Sequence, residues 1–309
     1  MATTLSKASR SLPTHVTLPS GDKMPVIALG VYLSKPGEVG AAVKTALKTG
    51  YRHIDGAWAY GNEEEVGKAI KESGVPREDI FITSKLWNYF HAPEDVEEAL
   101  DDSLKRLGTS YVDLYLIHWP LAFHKEAKTE LNKELTANAY PTWKKLEEML
   151  DKGKVRNIGL SNFTIKGMEK LLANPLKYKP AVDQVELNYQ NPQPEVLKWA
   201  KEHDIIIQAW APLGGADNAK ANLELPVVKE IAQEMGIEPA QVLISWHIQR
   251  GTVVLPKSVS PARVVSNYQV TALPDHLFKK LEAAACSHPP EKWRPPFDLG
   301  FDVWGEWPF

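Results

Sequence analysis

Eight short apolar runs, rich in β-branched residues, recur along the chain with helical-period segments between them. The runs cover residues 26–29, 51–54, 80–84, 112–117, 155–160, 181–187, 205–209 and 252–255. Most are apolar without alternation, the pattern of strands covered on both faces. Between them, Val39, Ala42, Val43, Ala46 and Leu47 repeat at helical spacing and Gly50 closes the segment. Val96, Ala99, Leu100, Leu104 and Leu107 do the same, with Pro93 near the start and Gly108 at the end. Trp143, Leu146, Met149 and Leu150 form a further face ended by Gly153, and others follow at 165–172, 196–200, 227–235 and 242–248. Strand–helix alternation sustained over roughly 250 residues predicts an α/β fold, a closed (β/α)8 TIM barrel. The alternative is an open doubly wound sheet. When such a sheet binds dinucleotides it carries G-x-G-x-x-G after its first strand, a pattern missing here.

Ahead of the barrel, segments 15–18 and 24–29 flank Pro19-Ser20-Gly21-Asp22, which predicts an N-terminal β-hairpin placed to plug the barrel floor. Nothing resembling a repeat or a low-complexity linker divides the chain, so residues 1–309 are expected to form one barrel domain. The tail is rich in proline and aromatics: Trp293, Phe297, Phe301, Trp304, Trp307 and Phe309. Residues 287–309 are therefore expected to pack as a C-terminal loop.

Charge and cysteine content narrow the partners. With 36 basic and 39 acidic residues the formal charge is −3, and no basic block offers a footprint for nucleic acid or an anionic membrane. The single cysteine, Cys286, leaves no intramolecular disulfide and no cysteine-clustered zinc site, and no metal site is expected. A reducing, cytoplasmic compartment fits. The chain opens without an apolar signal-like run and contains nothing near the about 18 apolar residues of a membrane span. No heptad seam is visible, and a monomer or weak dimer is expected.

Catalysis in such barrels sits where the strands end at the C-terminal face. The second strand ends in Asp55, with Tyr60 and Asn62-Glu63 just beyond; the third ends in Lys85; the fourth ends in His118. Three neighbouring strands thus aim an acid, an ammonium and an imidazole at one point beside a phenol. A lysine held by a buried aspartate is expected to lower the phenol pKa, so that Tyr60 exchanges a proton with a carbonyl or alcohol oxygen that His118 orients. Taken singly, Asp55 and Lys85 read equally as a structural ion pair, His118 as a core histidine and Tyr60 as a packing residue. Their joint placement favours function.

A phosphate site is predicted after the eighth strand, in Pro256-Lys257-Ser258-Val259-Ser260-Pro261-Ala262-Arg263. Ser260 reads as an N-cap and Pro261 as the first helical residue, with Lys257, Ser258 and Arg263 around a helix N-terminus. The plain alternative is a capped helix with two solvated cations. Ser161-Asn162 ends the fifth strand and Gln184 lies in the sixth; buried amides need partners, and a carboxamide such as nicotinamide would supply them. Intra-protein bonding, or N-capping by Ser161, is the alternative. Trp210 ends the seventh strand and offers a flat face for a planar ring, or packs in the core. Walker A, H-E-x-x-H and G-x-S-x-G patterns are absent.

Taken together, Gly50-Tyr51-Arg52-His53-Ile54-Asp55, Tyr60-Gly61-Asn62-Glu63, Ile82-Thr83-Ser84-Lys85-Leu86-Trp87, Leu116-Ile117-His118-Trp119-Pro120, Gly159-Leu160-Ser161-Asn162-Phe163 and Pro256-Lys257-Ser258-Val259 resemble the aldo-keto reductase superfamily across essentially the whole chain. The tail and Trp-rich loops look closest to its fungal aldose reductase-like and glycerol dehydrogenase-like branch. The resemblance implies NADPH-dependent reduction of aldehydes and ketones, reversible with alcohols, on sugars, glyceraldehyde-like or aromatic carbonyls. By position it implies Tyr60 as proton donor, Lys85 and Asp55 as its tuning pair and His118 as the carbonyl-orienting residue. Ser161, Asn162 and Gln184 match the carboxamide contacts, Trp210 the aromatic under the nicotinamide ring, and Leu213 the loop over the pyrophosphate. Lys257, Ser258 and Arg263 match the contacts to the adenosine 2′-phosphate, which favours NADP(H) over NAD(H). Asn267 matches an adenine contact, and Ser266 replaces a glutamate common in relatives. Tyr32, Trp58, Trp87 and Trp119 are expected to form an aromatic wall, the loop 121–140 a lip, and Trp304 a lid. A barrel of this family serving as a regulatory subunit, and a phosphate-binding lyase or isomerase barrel, are the rival readings.

Overall fold

A computed structural model describes residues 11–291. The tail residues 292–309, with Trp304, lie outside the described residues. Strands β1 (His15–Thr17) and β2 (Lys23–Pro25) pair antiparallel as the expected hairpin. The sheet proper runs β3 (Leu29–Gly30), β4 (His53–Asp55), β5 (Phe81–Leu86), β6 (Leu114–Ile117), β7 (Ile158–Ser161), β8 (Val182–Glu186), β9 (Ile206–Trp210) and β10 (Val253–Val254), each parallel to the next in sequence order. It closes on itself. Ala28 N donates to Val254 O at 2.9 Å, Val254 N to Val26 O at 2.8 Å and Gly30 N to Pro256 O at 3.2 Å. The fold is the predicted (β/α)8 barrel, though regular pairing of the first strand begins only at Leu29, three residues later than the apolar run suggests.

Around the sheet lie α1 (Glu38–Thr49), α2 (Glu63–Ser73), α3 (Pro93–Leu107), α4 (Lys133–Ala137), α5 (Tyr140–Asp151) and α6 (Ile165–Leu172). Then follow α7 (Pro194–Glu202), α8 (Gly215–Glu224), α9 (Pro226–Met235), α10 (Pro239–Gln249), α11 (Pro261–Tyr268) and α12 (Asp275–Ala285). The helical faces read from spacing fall inside α1, α3, α5, α6, α7, α9 and α10. Helix α2 has no such advertisement: it opens on Glu63-Glu64-Glu65, and only Val66, Ala69 and Ile70 make its apolar stripe. The lip at 121–140 contains α4 and a bridge between Phe123 and Leu131. No helix among the described residues is long and apolar enough to cross a membrane.

Two apolar layers share the strands. Outward-facing side chains such as Ile54, Tyr115, Ile117 and Val185 pack under the helices. Inward-facing Leu114, Leu116, Val182 and Val253 fill the barrel, and Leu18 and Met24 of the hairpin segment close its floor. Gly159 marks how tight this interior is: a Cβ there would lie 2.6 Å from the Val182 carbonyl oxygen and 2.8 Å from a Leu116 methyl.

Candidate active site

The strand ends bring the four expected catalytic groups together. Period-two alternation turns Asp55 and Lys85 into the barrel axis at its C-terminal rim, where Lys85 is fully buried and Asp55 is 4% exposed. Lys85 Nζ donates to Asp55 Oδ1 at 2.8 Å, to Gly56 O at 2.8 Å and to the Tyr60 hydroxyl at 3.3 Å. Tyr60 ends a one-turn 3-10 helix, Trp58–Tyr60, that folds the chain back over β4. Its ring meets His118 edge-on, with centroids 5.7 Å apart.

A polar chain runs down the axis beneath this cluster. Gln184 Nε2 donates to Asp55 Oδ2 at 2.7 Å and to Gln208 Oε1 at 2.8 Å, and Gln208 Nε2 reaches the Met24 sulfur at 3.1 Å. Gln208 was not among the residues singled out from sequence; the signal was a lone amide inside the apolar run 205–209.

The electrostatics correct one expectation. Burial pushes the Tyr60 phenol above its ordinary value; Lys85 pulls the other way and does not overcome it. The sequence shows the cation but not the degree of burial. Burial also pulls the Lys85 ammonium down, but Asp55 and Tyr60 together outweigh it and the net direction is up. Burial, then Lys85 and His91, push His118 well below its usual range, so it is neutral at physiological pH. Its Nδ1 is buried without a hydrogen-bond partner among the described residues.

The expected cofactor residues gather at the same rim. Asn162, at φ 63, donates through Nδ2 to His118 O at 2.9 Å and to Ser161 Oγ at 3.1 Å, while its Oδ1 accepts from Trp210 Nε1 at 2.9 Å. Ser161 Oγ donates to Gln184 O at 2.9 Å, and Thr164, not Ser161, caps α6. Trp210 is half-buried, and Leu213 is packed by the core with its carbonyl accepting from Asn222 at 3.2 Å.

At α11, Ser260 occupies the N-cap position and Pro261 opens the helix, as expected, but the Ser260 hydroxyl makes no cap bond. The Ser260 N–H instead donates to Ser258 Oγ at 3.2 Å. Among the described residues no side-chain cap bond meets the first-turn N–H groups. Lys257 and Arg263 are exposed beside them, Lys257 reaching Leu33 O at 3.4 Å, and Asn267 is buried one turn on.

Of the aromatic wall, Tyr32 lies 4.9 Å from Tyr60 and Trp87 5.0 Å from His118 between ring centroids, and Trp119 is buried next to His118 in sequence. Trp58 departs from the expectation. Its indole donates to Asp102 on α3 at 2.7 Å and packs against Phe90 and Arg106, because its turn directs it at the helix layer while Tyr60 faces the axis. Among the described residues no cluster of three or more His, Cys, Asp or Glu side chains has metal-site geometry.

A profile of the Aldo/keto reductase family matches residues 32–285. The chain is 38% identical to a glycerol 2-dehydrogenase (NADP(+)) of Hypocrea jecorina, covering 94% of this chain and 98% of that one. It is 42% identical to the aldehyde reductase YPR1 of Saccharomyces cerevisiae, covering 93% and 95%. Among solved structures, the aldose reductase of Schistosoma japonicum superposes with a TM-score of 0.83 at 36% identity, covering 94% and 97%. The chain belongs to the aldo/keto reductase family.

Proposed function

We propose that this protein reduces aldehydes and ketones to alcohols, reversibly, with NADPH as the reductant and Tyr60 as the proton donor. The observation that carries the reading is the Tyr60 hydroxyl 3.3 Å from a buried ammonium that is itself held by Asp55. When bound, NADPH supplies the hydride. Tyr60, pushed up by burial, is protonated at neutral pH, the form in which it can give its proton to a carbonyl oxygen. Lys85 stabilises the phenolate left behind, and Asp55 keeps that cation in place. Neutral His118 offers a ring N–H to the same oxygen without adding charge.

The chain fits the cofactor. The uncapped first turn of α11, with Lys257, Ser258 and Arg263, would hold an adenosine 2′-phosphate, and Asn267 the adenine. Gln184 commits its Nε2 to Asp55 and Gln208, which leaves its side-chain Oε1 to accept from a carboxamide N–H, alongside Ser161 and Asn162. Trp210, fixed through its indole N–H, would lie against the nicotinamide ring, and Leu213 over the pyrophosphate. Tyr32, Trp87 and Trp119 would favour small or aromatic carbonyl compounds. The similar proteins named for glycerol and for aldehydes support small polyol-related and aldehyde substrates. On this reading the substrates are sugars, glyceraldehyde-like or aromatic carbonyl compounds, and the enzyme is a single-domain monomer or weak dimer acting in the cytoplasm.

Replacing Tyr60 with Phe is expected to lower carbonyl reduction by about 10²–10⁴-fold, while NADPH titration followed by tryptophan fluorescence stays as in the wild type. Undiminished reduction by that variant would overturn the assignment.

A further inference from the structure

Tyr60 is mounted on a one-turn helix, not on a strand, yet its hydroxyl must be held against Lys85. The two residues that follow Gly61 bear on how this is done. Asn62 stands at the N-cap of α2, where an asparagine ordinarily turns back to its own helix. It makes no cap bond; its Nδ2 crosses to Val31 O at 2.9 Å, next to Tyr32. Glu63 opens a run of three acids. Glu64 is exposed, and Glu65 accepts from the backbone N–H groups of Gly37 and Gly40 at 3.0 and 2.8 Å. Glu63 turns inward, is 2% exposed, and its Oε1 accepts from Ser84 Oγ at 2.6 Å. Ser84 is the residue before Lys85. Burying a carboxyl here costs stability, and among the described residues its Oε2 finds no hydrogen-bond partner of normal geometry.

We propose that Asn62 and Glu63 are positioning residues that tether the Tyr60 turn to the strands on either side of it, and so set the separation of the Tyr60 hydroxyl from the Lys85 ammonium. The inference rests on Tyr60 being the proton donor. Asn62 fixes the turn to the end of β3, and Glu63 fixes it through Ser84 to β5. The tether acts through distance, not charge. The groups facing the phenol are Lys85 from β5, Asp55 from β4, Tyr32 after β3 and His118 after β6, and the largest charge effects on it come from Lys85 and Asp55. Glu63 in turn is faced by Ser84, Ser103, Asp102 and Arg106, and lies near Tyr115.

The test compares Ser84→Ala, Glu63→Ala and Glu63→Gln. Alcohol oxidation needs the phenolate, so its rate rises with pH as Tyr60 ionises. In Ser84→Ala and Glu63→Ala the midpoint of that rise should move up by about one pH unit for each ångström of retreat from Lys85. kcat should fall by about ten- to a hundredfold, with NADPH affinity unchanged. Glu63→Gln, whose amide oxygen still accepts from Ser84, should stay close to wild type. An unmoved midpoint in the alanine variants, or a glutamine variant as impaired as Glu63→Ala, overturns the tether. Should Glu63→Ala not fold, Ser84→Ala carries the comparison. If the wild type reduces no carbonyl compound, the proposed function falls, and the tether is judged on the NMR titration of ring-13C-labelled tyrosine. The Tyr60 resonance, assigned by its loss in Tyr60→Phe, should titrate at higher pH in Ser84→Ala; an identical titration overturns the tether.

Discussion

Asp55 and Asp183 are both buried on strands of the barrel, and their surroundings could hardly differ more. Asp55 points into the axis, where one carboxylate oxygen takes Lys85 Nζ at 2.8 Å and the other takes Gln184 Nε2 at 2.7 Å. Asp183 sits on β8 beside that same glutamine, but strand alternation turns it the other way, toward the helix layer that Val185 also faces. It is fully buried, and neither oxygen has a hydrogen-bond partner of normal geometry among the described residues. Burial pushes its carboxyl up to about 8, against the opposing pull of the Phe163 N–H. A buried acid is usable where a cation and an amide meet both of its oxygens. Where it faces an apolar layer it is kept neutral at a cost to stability.

The largest effect should come from turning one case into the other. Lys85→Met keeps the bulk of the side chain and removes the charge, so Asp55 is left with only Gln184. Breaking a buried pair from one side costs about 3–5 kcal/mol, and carbonyl reduction should fall at least about 100-fold as the phenol loses its cation. Denaturant unfolding at neutral pH and steady-state assays measure both. Acidification should recover part of the lost stability, because protonation discharges the orphaned carboxyl. A variant as stable as the wild type would mean the pair adds no net stability and the contrast with Asp183 is illusory.

Asp183→Asn should move stability the opposite way. An acid whose folded-state pKa is raised binds its proton more tightly folded than unfolded. Stability is therefore undiminished below the ordinary carboxylate range near 4, falls as pH rises toward about 8, and stays low beyond it. The asparagine removes that loss. Its unfolding free energy from denaturant titration should match the wild type near pH 4 and exceed it increasingly up to pH 8, by at most about 1.4 kcal/mol per pH unit across the window. A difference that does not depend on pH would show that Asp183 is ionised or solvated in the folded protein.

The parts legible in sequence were those that strand periodicity and a sharp change of polarity encode locally. Asp55, Lys85 and His118 each end an apolar run, so their placement at one rim follows once the runs are strands of a barrel. Other features depend on where a chain turns in space. Nothing local distinguishes Glu63 from Glu64, yet one is buried against Ser84 and the other is exposed. Trp58 reads as a pocket residue until its turn is seen to point at α3. The direction of the Tyr60 shift depends on how much water the fold removes, a quantity spread over every neighbouring element. The same holds for Ser260, whose position as N-cap was readable and whose unused hydroxyl was not.

The smallest predicted effect separates neighbours on one strand. Gln184 Nε2 is shared between Asp55 Oδ2 and Gln208 Oε1, so Gln184→Leu strands an acceptor on each of two buried side chains. Leaving buried acceptors unmet costs about 1–3 kcal/mol, against a gain for Asp183→Asn one residue away at the same pH. The Lys85–Asp55 bond does not pass through the glutamine, so the loss should appear in denaturant unfolding, and in weaker NADPH binding as the carboxamide contact goes, more than in kcat. If Gln184→Leu instead stabilises the protein, the axial amides contribute less than the apolar packing that replaces them. The advantage of Asp55 over Asp183 would then rest on the lysine alone.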